Sequence, residues 1–254
     1  MKALLVAHNT FREATRDRVL IGALVAGVAL IGLTLLASPL ALGEGSRLTV
    51  DLGLSGISFL GLMLVVLVGT SLVAKEIEKK TIYNLLSRPL SRHAYLIGKW
   101  AGLSATLWTL CAVLGGVLAL VMAMRGFPGH ALAIGEAAYL AGLELTVVTA
   151  IAVLFSAIST PVLSALYTIA LYLVGQWSYD LRSFAQHFPP SLAAICQVAA
   201  NLVPNLPLFN MRSLAAAGHP TSLDQLGIAT AYGLVYCACA LCLATAAFER
   251  RDFK

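Results

Sequence analysis

Residues 52–99 read LGLSGISFLGLMLVVLVGTSLVAKEIEKKTIYNLLSRPLSRHAYLIGK. The first half, 52–74, carries no charge. It is long enough to cross a hydrocarbon layer about 30 Å thick, which takes roughly 20 helical residues. The second half, 75–99, holds six of the chain's seventeen Lys and Arg residues, and a new uncharged run follows from Trp100 to Met124. Membrane-length apolar runs separated by a charged insert are the pattern of a multi-pass helical membrane protein.

The whole chain repeats that pattern. Its 254 residues are 59% hydrophobic and 11% charged, against about 45–50% and about 25% in soluble domains. Uncharged runs predict six spans, at residues 19–42, 52–74, 100–124, 137–159, 162–179 and 226–248. Pro161 separates the fourth from the fifth. Little sequence remains outside them, so residues 1–254 are expected to form a single all-α transmembrane domain with short helices between spans five and six.

With six spans, both termini and the 75–99 loop lie on one side. That side carries thirteen basic residues and the other four, Arg47, Arg125, Arg182 and Arg212. The positive-inside bias therefore predicts cytoplasmic termini and a cytoplasmic 75–99 loop. The net charge of +5 does not point to nucleic acid, because the basic residues flank apolar runs and form no long tract. Four of the five cysteines fall within apolar runs, so no disulfide framework is implied. The first span is too long for the roughly 7–15-residue apolar region of a signal peptide. Residues 1–18 before it read as an amphipathic interfacial helix. Leu4, Ala7 or His8, Phe11, Ala14 and Arg18 recur at three- and four-residue spacing, while Arg12, Glu13, Arg16 and Asp17 face elsewhere.

Within 75–99, Ile77, Ile82, Leu85 and Leu86 recur near the helical period, with Glu76, Glu78, Lys79 and Lys80 on the remaining surface. Pro89 disfavours helix at Arg88, and Ser91 can cap a second helix running through Lys99 into the third span. A short amphipathic helix, a stiff turn and a direct join to a span result. Periodicity alone fits an interfacial anchor as well as a docking element.

The run Glu76-Ile77-Glu78, Thr81-Ile82, Leu85-Leu86-Ser87-Arg88-Pro89-Leu90-Ser91-Arg92 and Gly98-Lys99 resembles the second-to-third-span loop of ABC-2 type transporter permeases. It is most similar to the branch associated with multicopper-enzyme and nitrous-oxide-reductase maturation. Thr10-Phe11-Arg12-Glu13-Ala14 with Arg16-Asp17-Arg18, Pro204-Asn205-Leu206 with Phe209-Asn210, and the terminal Glu249-Arg250-Arg251-Asp252-Phe253 are also similar to that branch. The resemblance implies an inner-membrane permease paired with a second copy, each docked on a separate ABC ATPase. Ile82, Leu85 and Leu86 would be the hydrophobic key. Glu76, Glu78, Lys79, Arg88 and Arg92 would set register through charge pairs, which serve specificity more than affinity. It further implies an amphipathic elbow helix over 1–18 and an extracytoplasmic or re-entrant segment over 180–225. Pro204, Asn205, Phe209 and Asn210 are then candidates for contact with a periplasmic partner. An ordinary outer loop is the alternative, because prolines punctuate either. The output is either transport or, as the alternative, mechanical signalling to the periplasmic partner without solute transport. No G-x-x-x-x-G-K-[ST] phosphate loop occurs in the sequence. ATP and Mg are therefore expected on the partner ATPase, and this chain is expected to bind no cofactor and to be non-catalytic.

Three other features invite chemistry. Gly53-Leu54-Ser55-Gly56 resembles the serine motif of rhomboid proteases. An intramembrane serine protease needs a general base beside the serine, and all five histidines fall outside the expected spans. Cys237, Cys239 and Cys242 suggest a metal site, but Cys237 lies about 200° around the helix from Cys239, and small-residue packing is favoured. Glu144 is the one acid well inside an expected span. A charge there costs about 2.5–3.5 kcal/mol on insertion scales, which marks it for a cavity or gate, unless it sits within reach of solvent near the outer interface.

Overall fold

A computed structural model describes residues 2–16, 18–41, 43–70, 92–179 and 203–249. Among these, every regular element is helical. Glu76, Glu78, Lys79, Ile82, Leu85, Leu86 and Arg88 lie outside the described residues, as does 180–202.

The chain opens with α1 (Lys2–Arg16), followed by α2 (Val19–Ala37) and a 3-10 turn at Ser38–Ala41. Next comes α3 (Gly45–Leu64), which continues through a π-helical turn at Val65–Gly69. Three long elements follow: α4 (Arg92–Met124), α5 (His130–Ile158) and α6 (Pro161–Gln176). A 3-10 turn at Leu206–Phe209, the short α7 (Arg212–Ala216) and α8 (Leu223–Glu249) complete the described chain.

Local chemistry sets the helix ends. Gly126 adopts φ +88°, and the backbone N–H groups of Gly126 and Phe127 donate to the carbonyls of Ala123 and Met122. This left-handed glycine cap ends α4 and turns the chain into α5. Pro161 is the first residue of α6, where its missing N–H costs nothing. The uncharged runs understate helix length. Arg47 and Asp51 lie within α3, seven residues of which precede Leu52, and Arg47 pairs with Glu44 at 3.1 Å near the exposed start of the helix.

Among the described residues, five helices are long and apolar enough to cross a membrane: Val19–Ala37, Gly45–Gly69, His93–Met124, His130–Ile158 and Leu223–Phe248. The apolar α6 has 16 residues, about 24 Å of helix against a core of about 30 Å. α5 is the centre of the bundle and contacts α3, α4, α6, α7 and α8.

α1 packs along the beginning of α4. A Cβ on Gly98 would lie 2.6 Å from Val6 Cβ, and one on Gly102 would lie 2.5 Å from the Ala7 carbonyl oxygen. Only glycine admits so close an approach of two helix backbones. The face of α1 turned to α4 therefore includes Val6, Thr10 and Ala14, all buried or half-buried, whereas Leu4 is 77% exposed. That face is offset from the one read from the sequence. Lys99 is enclosed at the same joint, with Nζ 4.0 Å from Glu13 and 5.8 Å above the Tyr95 ring. Tyr95 in turn stacks on Phe248 near the end of α8, centroids 6.4 Å apart. So α1, the start of α4 and the end of α8 meet at one end of the bundle. At the opposite end, Arg125 donates to Thr49 Oγ1 at 3.2 Å and Ser38 Oγ at 2.8 Å, tying α4 to the α2–α3 corner.

Candidate functional site

Glu144 lies at the midpoint of α5 and is 2% exposed. The carboxylate is met by the end of α6, which runs back antiparallel along α5. Ser164 Oγ donates to the Ala152 carbonyl at 3.4 Å, and Gln176 Nε2, on the last residue of α6, donates to Glu144 Oε1 at 2.5 Å. Tyr172, one turn earlier on the same α6 face, hydrogen-bonds the same carboxylate. Arg212, the first residue of α7, attracts it electrostatically and donates through Nη1 to Ser55 Oγ at 3.3 Å. A buried carboxylate is tolerable only when donors replace its lost water. Here a carboxamide and a phenol do so from α6, and the Arg212 guanidinium on α7 adds an opposite charge.

The same depth holds the two ends of the segment beyond α6. Ser178 Oγ donates to Asn205 Oδ1 at 3.1 Å, and the Asn205 backbone N–H donates to the Tyr232 hydroxyl at 2.8 Å. Leu206 presses on Gly175, whose Cβ would stand 2.9 Å from it, and Phe209 packs on Tyr232 with centroids 6.2 Å apart. The chain therefore leaves after Tyr179 and returns before Pro204 at neighbouring points, beside Glu144. Together these groups form a polar layer across α3, α5, α6, α7 and α8.

The sequence-derived candidates among the described residues have definite places. Pro204 and Phe209 are buried, Asn205 is half-buried, and Asn210 is exposed. Asn210 Oδ1 accepts the Arg212 backbone N–H at 3.4 Å. Arg92 opens α4. Ser55 faces a guanidinium, a pure donor that cannot serve as general base. Cys237 is buried while Cys239 and Cys242 are exposed. Among the described residues no three metal-ligating side chains gather. Sequence reasoning missed Tyr172, Gln176, Ser178, Arg212 and Tyr232. The available signal was the i, i+4 pair Tyr172 and Gln176 in an otherwise apolar run.

Residues 4–253 match the family described as ABC-2 family transporter protein. The chain belongs to the ABC-2 transporter family. The match begins within α1, spans every later element and includes residues 71–91 and 180–202. This ABC-2 permease is thus a multi-pass membrane subunit of an ABC transporter. Its family is typically non-catalytic, implies an ABC ATPase as partner, and is often dimeric. No curated protein matches the chain.

Proposed function

We propose that this permease converts ATP hydrolysis on a separate ATPase into movement of its membrane helices, with the 75–99 loop as the docking element. Ile82, Leu85 and Leu86 are the apolar key, and Glu76, Glu78, Lys79, Arg88 and Arg92 set its register. ATP and Mg sit on the ATPase. The observation that carries this reading is the joint at the start of α4. The charged loop runs straight into a continuous helix of 33 residues, a rod about 50 Å long, against which α1 is locked at Gly98 and Gly102. Displacement of the loop moves that rod, and Arg125 at its far end pulls on the α2–α3 corner.

α6 and the residues after it make the remaining crossing, giving six in all. The meeting of α1 with the end of α8 at one end of the bundle supports that count. Thirteen basic residues on that side favour cytoplasmic termini in a bacterial-type inner membrane. α1 is the elbow helix, with exposed Leu4 and Leu5 turned to the acyl boundary. Two copies form the transporter. Glu144 is the gate: its partners on α6 and α7 separate when the outer end opens. The outer segment within 180–225, with Asn210 exposed on it, meets a periplasmic partner. The motifs quoted above favour the multicopper-enzyme and nitrous-oxide-reductase maturation branch. In that case the output is transport or conformational signalling to the partner.

A photo-cross-linker at Leu85 tests the docking. Adducts with the co-expressed ATPase are expected at Leu85 and not at Leu4. Equal labelling of both positions, or none at Leu85, refutes it.

A further inference from the structure

The half of α5 that precedes Glu144 is open on two sides. A cavity of about 750 Å³ lies between it and α8, and a second of about 390 Å³ lies between it and α4. Ala131, Gly135 and Tyr139 border both, so the two grooves flank a single ridge of α5. Volumes of about 300–1,000 Å³ with mostly apolar walls and few polar groups are typical of ligand sites. Among the described residues, Glu136 supplies the only charge on either wall, and its Oε2 accepts the Thr221 backbone N–H at 2.6 Å. Tyr139 and Thr230 satisfy each other at 3.0 Å deeper in the larger groove. Leu132, 66% exposed, and Leu234 on α8, also exposed, flank its mouth.

Position along the helix fixes what the grooves meet. α5 has 29 residues and is about 43 Å long, so a centred core of about 30 Å leaves about 7 Å at each end. Glu136 is about 9 Å from the start of α5 and thus near the headgroup boundary, while Leu234 is about 16 Å along α8, well inside the acyl region. A carboxylate at the boundary above two apolar furrows matches one amphiphile, with a cationic head and two chains.

We propose that this surface binds a diacyl phospholipid with a primary-amine headgroup, one chain in each groove and the ammonium on Glu136. An ammonium offers three N–H donors, and its charge-assisted bond to a carboxylate is about twice as strong as a neutral one. A quaternary choline head has no N–H to offer. The site sets which lipid lies beside the outer half of α5, next to the polar layer around Glu144.

The purified permease is reconstituted in vesicles of equal phosphatidylethanolamine and phosphatidylcholine, extracted, and its retained lipids are counted by native mass spectrometry. About tenfold enrichment of phosphatidylethanolamine is expected, the ratio worth one charge-assisted bond. Glu136→Gln keeps an acceptor for Thr221 and should bring the ratio to about one. Gly135→Leu fills the shared ridge, where a Cβ meets no atom within 4 Å, and should remove retained lipid of both kinds. Equal retention by the unaltered protein overturns the proposal, as does enrichment that survives either substitution. Cysteine cross-links between copies at Leu132 and Ile228 would assign the grooves to a second copy and overturn it likewise.

Discussion

Replacing Gly102 by Ala adds one carbon at the tightest point between α1 and α4. That Cβ would stand 2.5 Å from the Ala7 carbonyl oxygen and 2.7 Å from Thr10 Cβ. Even close C–H···O contacts hold carbon and oxygen about 3.3–3.6 Å apart, so α1 must retreat by about 1 Å. A gap of about 0.5–1 Å already forfeits a quarter to a half of each dispersion contact. Overpacking of this kind costs about 1–3 kcal/mol, or roughly 2–12 °C in Tm for a chain of this size. Gly116 on the same helix is the control, because a Cβ there meets nothing within 4 Å. Gly116→Ala should raise stability by about 0.5–1 kcal/mol through helix propensity alone. Thermal unfolding of both variants in one detergent separates the two effects, and ATP hydrolysis with the partner ATPase reads the joint's role in coupling. Opposite Tm shifts are expected, with coupling lost only in Gly102→Ala. Shifts of the same sign would refute the close approach of α1 to α4.

Other substitutions probe the polar layer. Glu144→Gln keeps the shape of the side chain but removes the charge that draws Arg212. It should leave insertion intact and lower coupled hydrolysis severalfold, and unchanged transport and coupling would exclude Glu144 as the gate. Asn205→Ala strands the buried Ser178 hydroxyl and should cost about 1–3 kcal/mol of stability, seen as a lower Tm. Arg125→Gln loosens the far end of α4 from Thr49 and Ser38, costing about 1.5–3 kcal/mol for part-buried bonds from a charged donor, with coupling reduced in proportion. Ser55→Ala should leave every activity of the complex in place. Abolished hydrolysis of a peptide substrate by the isolated chain would instead revive the serine-protease alternative.

Much of this fold is legible in the sequence because lipid imposes one rule, that backbone polar groups be satisfied within a helix. The uncharged runs therefore mark α2 to α5 and α8, and Pro161 marks the start of α6. Helix ends are less legible, since α3 and α5 extend past the apolar runs on residues such as Arg47 and His130, where charge or polarity does not stop a helix. The stop of α6 at Gln176 had no breaker to announce it. Glu144 stood out as a lone acid, but its partners come from 28, 32 and 68 positions away, and only the fold brings them together. In the sequence, the Gly98-Lys99 pair reads only as part of the loop's family resemblance. Its meaning is packing, with Gly98 admitting α1 and Lys99 closed between Glu13 and Tyr95.

Docking through the 75–99 loop is most directly tested by Leu85→Asp combined with Leu86→Asp, co-expressed with the ATPase. Two charges in the apolar key should abolish co-purification of the ATPase and stop stimulation of its hydrolysis, while the permease still inserts and keeps its Tm. Retained assembly with unchanged coupled hydrolysis would contradict a docking role for this loop.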